Sequence, residues 1–153
     1  GCAALRIDFR GVGQSDGKYD EGDGEVDDAA AAFAWLAAEL PGIPIFVWGF
    51  SFGSRVGLEY SIREVAAGNP PAGYMGVAWP TNFYAWPHGE TWPERASFLV
   101  GSADDYVNLA AMNRVEKQGG LLHVVDGATH FFPGKLDEVS AWTEGQLSAW
   151  LGE

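Results

Sequence analysis

The sequence has 153 residues, of which 47% are hydrophobic and 14% aromatic, so we expect one folded domain with a substantial core. Its net charge of −12 argues against nucleic acid and anionic membranes as partners, because both bind basic patches. The single cysteine, Cys2, excludes an internal disulfide, fits a reducing compartment and favours a cytoplasmic location. No apolar stretch is long enough to span a bilayer.

Segments typical of strands and of helices alternate along the chain. The predicted strands are CAALRIDF (2–9), IPIFVW (43–48), GYMGVAW (73–79), SFLVGS (97–102) and LLHVVDG (121–127). The predicted helices are 26–40, 52–67, 107–118 and 135–151. The IPIFVW strand has no polar alternation, which indicates burial on both faces.

Helical spacing predicts which residues of the first and last helices face the core. For the first helix these are Val26, Ala30, Phe33, Ala37 and Leu40, and for the last Leu136, Val139, Leu147 and Trp150. A loop rich in glycine and acid, residues 10–25, precedes the first helix. We interpret its acids, together with those at the helix start, as solvated; they are Asp16, Asp20, Glu21, Asp23, Glu25, Asp27 and Asp28.

Repeated strand–helix units predict an α/β fold, with a parallel sheet covered by helices on both faces. Ligands of such sheets bind beyond the carboxyl ends of the strands. The loops that follow strands are therefore the places to look for a site. They are residues 10–25, 49–53, 80–96, 101–106 and 126–134.

The stretch GFSFG, residues 49–53, places Ser51 between a predicted strand and a predicted helix. A strand–GxSxG–helix turn holds its serine out at the tip of a sharp bend. The positive end of the following helix points at the same place and suits an anionic intermediate. A serine nucleophile also needs a base and a group that orients the base.

The later loops contain candidates for the base, which we expect to be a histidine. His130 follows a late strand, whereas His123 lies inside that strand and is expected to be a packing or edge residue. His88, between Pro87 and Gly89, is expected at the surface or in a lid, and contact with a ligand stays open.

Carboxylates follow two of the predicted strands. Asp104 and Asp105 follow the strand at 97–102, while Asp126 is a weaker candidate because it is close to His130 in sequence. The order Ser51, Asp104, His130 is that of nucleophile, acid and base in α/β-hydrolases.

Four stretches together resemble the small bacterial α/β-hydrolases related to dienelactone hydrolase. They are LRIDFRGVGQSDGKYDEGDGEVDDAAAAFAWL, VWGFSFGSRVGL, FLVGSADDYV and VVDGATHFFPGKLDEV. The resemblance implies an α/β-hydrolase fold with Ser51 as nucleophile, Asp104 as acid and His130 as base. It also implies that Asp105 is a non-catalytic second acid and that Ser15 is no rival nucleophile.

The same resemblance implies that the backbone N–H of Phe52 is one of two oxyanion donors. The family's other donor comes from an HPHP-like loop, after N-terminal strands that have no counterpart here. One of those strands would lie between the segments 2–9 and 43–48. We therefore expect either a fragment of a longer protein, which could be inactive, or direct pairing of these two segments.

The function predicted from these residues is hydrolysis of a small-molecule ester, thioester or lactone by a serine hydrolase, with no cofactor and no metal. Phe83, Tyr84, Trp86 and Trp92 are expected either to line a pocket or to pack in the core. The sequence does not indicate an oligomeric state. One alternative is a non-catalytic binding protein with the same fold. The other is nucleotide binding at GVGQSDG, which the acids that follow disfavour because they would repel phosphate.

Overall fold

The computed structural model describes residues 2–87 and 91–152 and contains a parallel sheet of four strands in the order β1-β2-β3-β4. The strands are β1 (Phe46–Phe50), β2 (Gly73–Val77), β3 (Ala96–Gly101) and β4 (Leu121–Val125). The helices are α1 (Asp23–Glu39), α2 (Phe52–Ala67), α3 (Asn113–Lys117) and α4 (Leu136–Leu151). The predicted α/β class is confirmed.

Helices cover both faces of the sheet, as the alternating pattern predicts. On one face, Tyr74, Phe98 and Val100 of the sheet pack against Leu58 of α2 and Val115 of α3. The opposite face of the sheet packs against α4, where Trp142 lies in one core cluster with Met75 of β2 and Leu99 of β3. Helix α1 packs on α2, where Val26 meets Val56 and Tyr60. This arrangement leaves the loops at the carboxyl ends of all four strands at one edge.

The segment 2–9 is not a strand, so the first strand prediction is wrong. Among the described residues, β1 has β2 as its one partner, and the segment 2–9 is not paired with it. Direct pairing of the two segments is therefore not observed. An apolar sequence becomes a strand only where a neighbour satisfies its backbone groups, and none is described beside this segment. Its Leu5 and Ile7 remain exposed.

Strand β1 is an outer strand of the described sheet rather than one buried on both faces. It begins at Phe46, three residues later than predicted, and Ile43 is exposed in the preceding turn. Trp48 is 46% exposed. An apolar run without alternation cannot distinguish an inner from an outer strand, because burial depends on neighbours far away in sequence.

The predicted helix 107–118 is shortened to α3, because residues 107–108 have no regular structure and residues 109–112 form turns. The side-chain oxygen of Asn108 accepts hydrogen bonds from the backbone N–H groups of Ala110 (3.0 Å) and Ala111 (3.3 Å). Asparagine competes with helix formation in this way.

Two of the predicted core-facing stripes contain exposed residues. Ala37 and Leu40 of the first stripe and Leu136, the first residue of α4, are exposed.

Two of the acids interpreted as solvated are instead held by protein contacts, one of them buried and the other half-buried. Glu25 is buried, and its carboxylate accepts hydrogen bonds from the N–H groups of Asp20 and Gly22, both at 2.9 Å. Burial by itself would raise the pKa of Glu25, but these backbone donors and nearby Arg10 lower it below its usual value. Asp28 pairs with the Arg10 guanidinium at 2.8 Å. Together these contacts fix the loop 10–25 against the start of α1.

Candidate active site

Ser51 occupies a sharp turn between β1 and α2, as its motif predicts. Its backbone has φ 52° and ψ −120°, a left-handed conformation that costs a non-glycine residue about 1–3 kcal/mol. The turn is held by a hydrogen bond from the Ser51 N–H to the carbonyl oxygen of Val77 at 2.8 Å. The adjacent strand β2 thus anchors the turn that presents the hydroxyl.

The two glycines of the GFSFG motif are required to different degrees. A Cβ at Gly49 would overlap the carbonyl group of Gly53, because the strand end and the helix start approach each other there. A Cβ at Gly53 would have no heavy atom within 4 Å. Gly49 is thus the position at which the close approach of strand and helix demands glycine.

His130 lies in the loop after β4, and its ring reaches the Ser51 hydroxyl. The distance from His130 Nε2 to Ser51 Oγ is 2.8 Å. The ring is buried, with the rings of Phe50 and Tyr106 packed beside it at 5.1 and 4.3 Å between centroids. Packing on these rings restricts the imidazole to the orientation that faces Ser51.

Asp104, in the loop after β3, contacts the other nitrogen of the same ring. Its Oδ2 and Oδ1 lie 2.9 and 3.1 Å from His130 Nδ1, and Oδ1 also accepts the N–H of Tyr106 at 2.8 Å. A carboxylate beside Nδ1 favours the imidazole tautomer whose ring proton is on Nδ1. Nε2 is then free to accept the Ser51 proton, so the three side chains form one continuous chain of hydrogen bonds.

The alternative site residues lie elsewhere. Asp105 is exposed, and Asp126 accepts a hydrogen bond from the hydroxyl of Ser102 at 3.2 Å. The hydroxyl of Ser15 donates to the carbonyl oxygen of Asp8 at 2.8 Å. His123 is exposed on the outer strand β4, and His88 lies outside the described residues. Of the candidates from the sequence, the structure brings together Ser51, Asp104 and His130.

Phe52 is the first residue of α2, so its N–H has no acceptor within the helix. It adjoins Ser51 at the positive end of the helix. This N–H is therefore free to donate to an acceptor placed next to the serine.

The aromatic residues predicted to line a pocket divide between a groove and the core. Phe83, Tyr84 and Trp86 border a groove of about 540 Å³ along α2, together with Arg55 and other residues, but none of Ser51, Asp104 and His130 lines it. Trp86 also stacks on Trp79 at 4.2 Å between ring centroids and donates to the carbonyl oxygen of Ala111 at 3.1 Å. Trp92 is buried in the core. Trp86 therefore belongs both to the wall of the groove and to the aromatic packing around the core.

Three aromatic residues that sequence reasoning did not single out contact the His130 ring. They are Phe50, Tyr106 and Phe131. Each lies within two positions of Ser51, Asp104 or His130 in the sequence. That adjacency is the signal that could have found them.

A family model described as the alpha/beta hydrolase fold matches residues 1–71. A protein of unknown function from Agrobacterium tumefaciens, provisionally classed as an α/β hydrolase, is 31% identical in sequence. Its crystal structure matches with a TM-score of 0.84, over 94% of this chain and 68% of that one. The chain belongs to the α/β-hydrolase family. Both the family and the fold predicted from the motifs are confirmed.

Two further relatives are similar over most of the chain. A serine hydrolase without a lid from Xanthomonas campestris is 30% identical, with a TM-score of 0.80 over 93% of this chain and 64% of that one. An uncharacterized protein of Rickettsia prowazekii is 34% identical over 92% of this α/β hydrolase. The chain spans 62% of the length of that protein. Within residues 2–87 and 91–152, no helix combines the length and apolarity needed to cross a membrane.

Proposed function

We propose that this α/β hydrolase cleaves carboxylic esters of small molecules through an acyl-enzyme formed on Ser51. The observation that carries the proposal is the chain of contacts from Ser51 Oγ to His130 Nε2 at 2.8 Å and from His130 Nδ1 to Asp104 at 2.9 Å. A nucleophile, a base and a group orienting the base at hydrogen-bond distance are the components of nucleophilic acyl transfer.

In the first half of the proposed reaction, Ser51 Oγ attacks the ester carbonyl while its proton passes to His130 Nε2. Asp104 stabilises the imidazolium that results. The negative charge on the carbonyl oxygen is received by the Phe52 N–H and the positive end of α2. When the tetrahedral intermediate collapses, the bond to the alcohol breaks, and Nε2 returns its proton to the departing oxygen.

In the second half, a water molecule takes the place of the alcohol. His130 accepts a proton from that water as its oxygen attacks the acyl carbon of Ser51. Collapse of the second intermediate releases the carboxylic acid and returns the proton to Ser51 Oγ. Water is the co-substrate, and this chemistry requires no cofactor. Thioesters and lactones have the same electrophilic carbon and are substrates of the same kind.

A fluorophosphonate probe tests this function, because it reacts with serines activated for acyl transfer. The full-length protein should be labelled and should lose hydrolysis of p-nitrophenyl acetate in parallel with labelling. Ser51→Ala should remain unlabelled, since the attacking oxygen is absent. Ser15→Ala is the matched control and should be labelled like the parent, because the Ser15 hydroxyl donates to Asp8 away from the histidine. Equal labelling of Ser51→Ala and the parent would exclude Ser51 as the nucleophile.

The non-catalytic alternative predicts neither labelling nor hydrolysis across a series of ester chain lengths. Nucleotide binding at GVGQSDG is disfavoured by the position of α1, which begins at Asp23 rather than directly after Gly17. Phosphate loops lead at once into a helix, whose N–H groups then meet the phosphates. Measurable affinity for ATP or NADP would reverse this argument.

A further inference from the structure

Three exposed aromatic side chains form a connected series with His130, two in direct contact with its ring and the third through one of them. We name Phe83, Tyr106 and Phe131 the histidine rim. Phe131 packs edge-on to the His130 ring at 5.1 Å between centroids, and Tyr106 lies 4.3 Å from the same ring. Phe83 extends the series by packing edge-on to Tyr106 at 5.0 Å. The rim is therefore a connected apolar surface that begins at the proposed base.

Core packing does not account for the rim. Phe131 is 69% exposed, Phe83 64% and Tyr106 40%, whereas the neighbouring Phe132 is buried. The Tyr106 backbone, rather than its ring, ties this loop down, since its N–H donates to Asp104 and its carbonyl accepts from the Asn82 N–H. Clustered exposed apolar side chains on a folded protein mark places where a ligand or partner binds.

The chemistry of the proposed reaction determines which part of a substrate meets the rim. His130 Nε2 must protonate the departing oxygen, so the alcohol part of the ester lies within hydrogen-bond reach of this ring. The carbonyl oxygen instead points to the Phe52 N–H, on the side of Ser51 where α2 begins. The side chains that adjoin His130 therefore face the alcohol part, and the acyl part leaves in another direction.

We propose that Phe131 and Tyr106, extended by Phe83, form the subsite for the alcohol part of the substrate and select bulky apolar or aromatic alcohols. This inference rests on the proposed ester hydrolysis and adds a substrate class to it. A ring in the alcohol would be desolvated against Phe131 and Tyr106 in the geometry that aromatic pairs favour. The small alcohol of a methyl or ethyl ester would leave these side chains in water.

The test compares benzyl acetate with ethyl acetate, which have the same acyl group and alcohols of similar acidity. The full-length protein should show a higher kcat/KM for benzyl acetate. In Phe131→Ala, the ratio of kcat/KM for benzyl acetate to that for ethyl acetate should fall about tenfold, the order expected for losing one ring contact. Tyr106→Ala should lower the same ratio. Phe131→Leu, which keeps apolar area, should lower it less.

Trp35→Ala is the matched control, because Trp35 is an exposed aromatic residue that lines a different groove. It should leave both rates unchanged. An acyl series, from ethyl acetate to ethyl hexanoate, supplies the second comparison, and Phe131→Ala should not change the preference within it.

The outcomes separate the two levels of the proposal. A Phe131→Ala variant that lowers kcat/KM for both acetates by the same factor, or that changes acyl preference instead, overturns the alcohol subsite and leaves ester hydrolysis standing. A wild-type protein that does not distinguish the two acetates overturns it as well. Absence of hydrolysis of every ester together with absence of fluorophosphonate labelling removes the proposed function and the subsite with it.

Discussion

Replacing Ser51 or His130 with alanine is expected to lower kcat for ester hydrolysis by about 10⁶-fold in each case. Ser51→Ala removes the attacking oxygen, and His130→Ala removes the group 2.8 Å away that accepts its proton. The double variant should lose no more than either single variant, because residues that act in one step fail together. Steady-state hydrolysis of p-nitrophenyl acetate by the three variants measures this.

His123→Ala is the control for the histidine, since His123 is exposed on the outer strand β4. It should keep the parent rate within about twofold, as exposed substitutions usually do. If the losses of Ser51→Ala and His130→Ala instead multiply in the double variant, the two residues act independently, and the proposed proton transfer between them is wrong.

Asp104→Asn is expected to lower kcat by about 10⁴-fold while leaving the fold intact. Asparagine has nearly the same shape, but its amide can donate to Nδ1 of His130, which favours the tautomer with the proton on Nε2. The Ser51 hydroxyl then faces a donor rather than an acceptor. The loss should appear mainly in kcat, because the side chain is buried behind the ring and does not face a substrate.

Asp105→Asn is the matched control for the same substitution one position along the chain. Asp105 is exposed, and its contact with Asn82 uses its backbone oxygen, which the substitution retains. It should therefore keep the parent kcat within about twofold. If kcat falls more in Asp105→Asn or in Asp126→Asn than in Asp104→Asn, that residue rather than Asp104 orients His130.

Features with strong local signals could be predicted from the sequence. The bounds of α2 match the prediction of 52–67, since a glycine-bounded turn precedes that helix and Gly68, in a left-handed conformation, ends it. The proximity of Ser51, Asp104 and His130 follows from a more general rule. Loops after neighbouring parallel strands share one edge of a sheet, and each of the three residues lies in such a loop.

Features that depend on distant neighbours could not be predicted. The segment IPIFVW has the apolar composition of an inner strand, and the segment 2–9 has the pattern of a strand. Strand pairing and burial, however, depend on which strands lie beside them. Glu25 looks like the other acids of its loop and differs from them by the backbone N–H groups that the fold aims at its carboxylate. Local composition contains neither kind of information.

The aromatic surroundings of His130 lie between these two cases. Phe50, Tyr106 and Phe131 are close in sequence to the three predicted site residues, yet nothing in the sequence distinguishes a ring beside an imidazole from a ring in the core. Trp86 illustrates the difficulty, since it borders a groove and also stacks on a buried tryptophan.

The acyl-enzyme proposed on Ser51 is tested most directly by identifying the residue that becomes acylated during turnover. The full-length protein would be mixed with p-nitrophenyl acetate, quenched in acid within the first turnovers and mapped by peptide mass spectrometry. We expect an acetyl group on Ser51, and no acetyl group at this position in Ser51→Ala treated in the same way. Hydrolysis of p-nitrophenyl acetate accompanied by an acetyl group on a different residue, with Ser51 unmodified, would contradict this expectation.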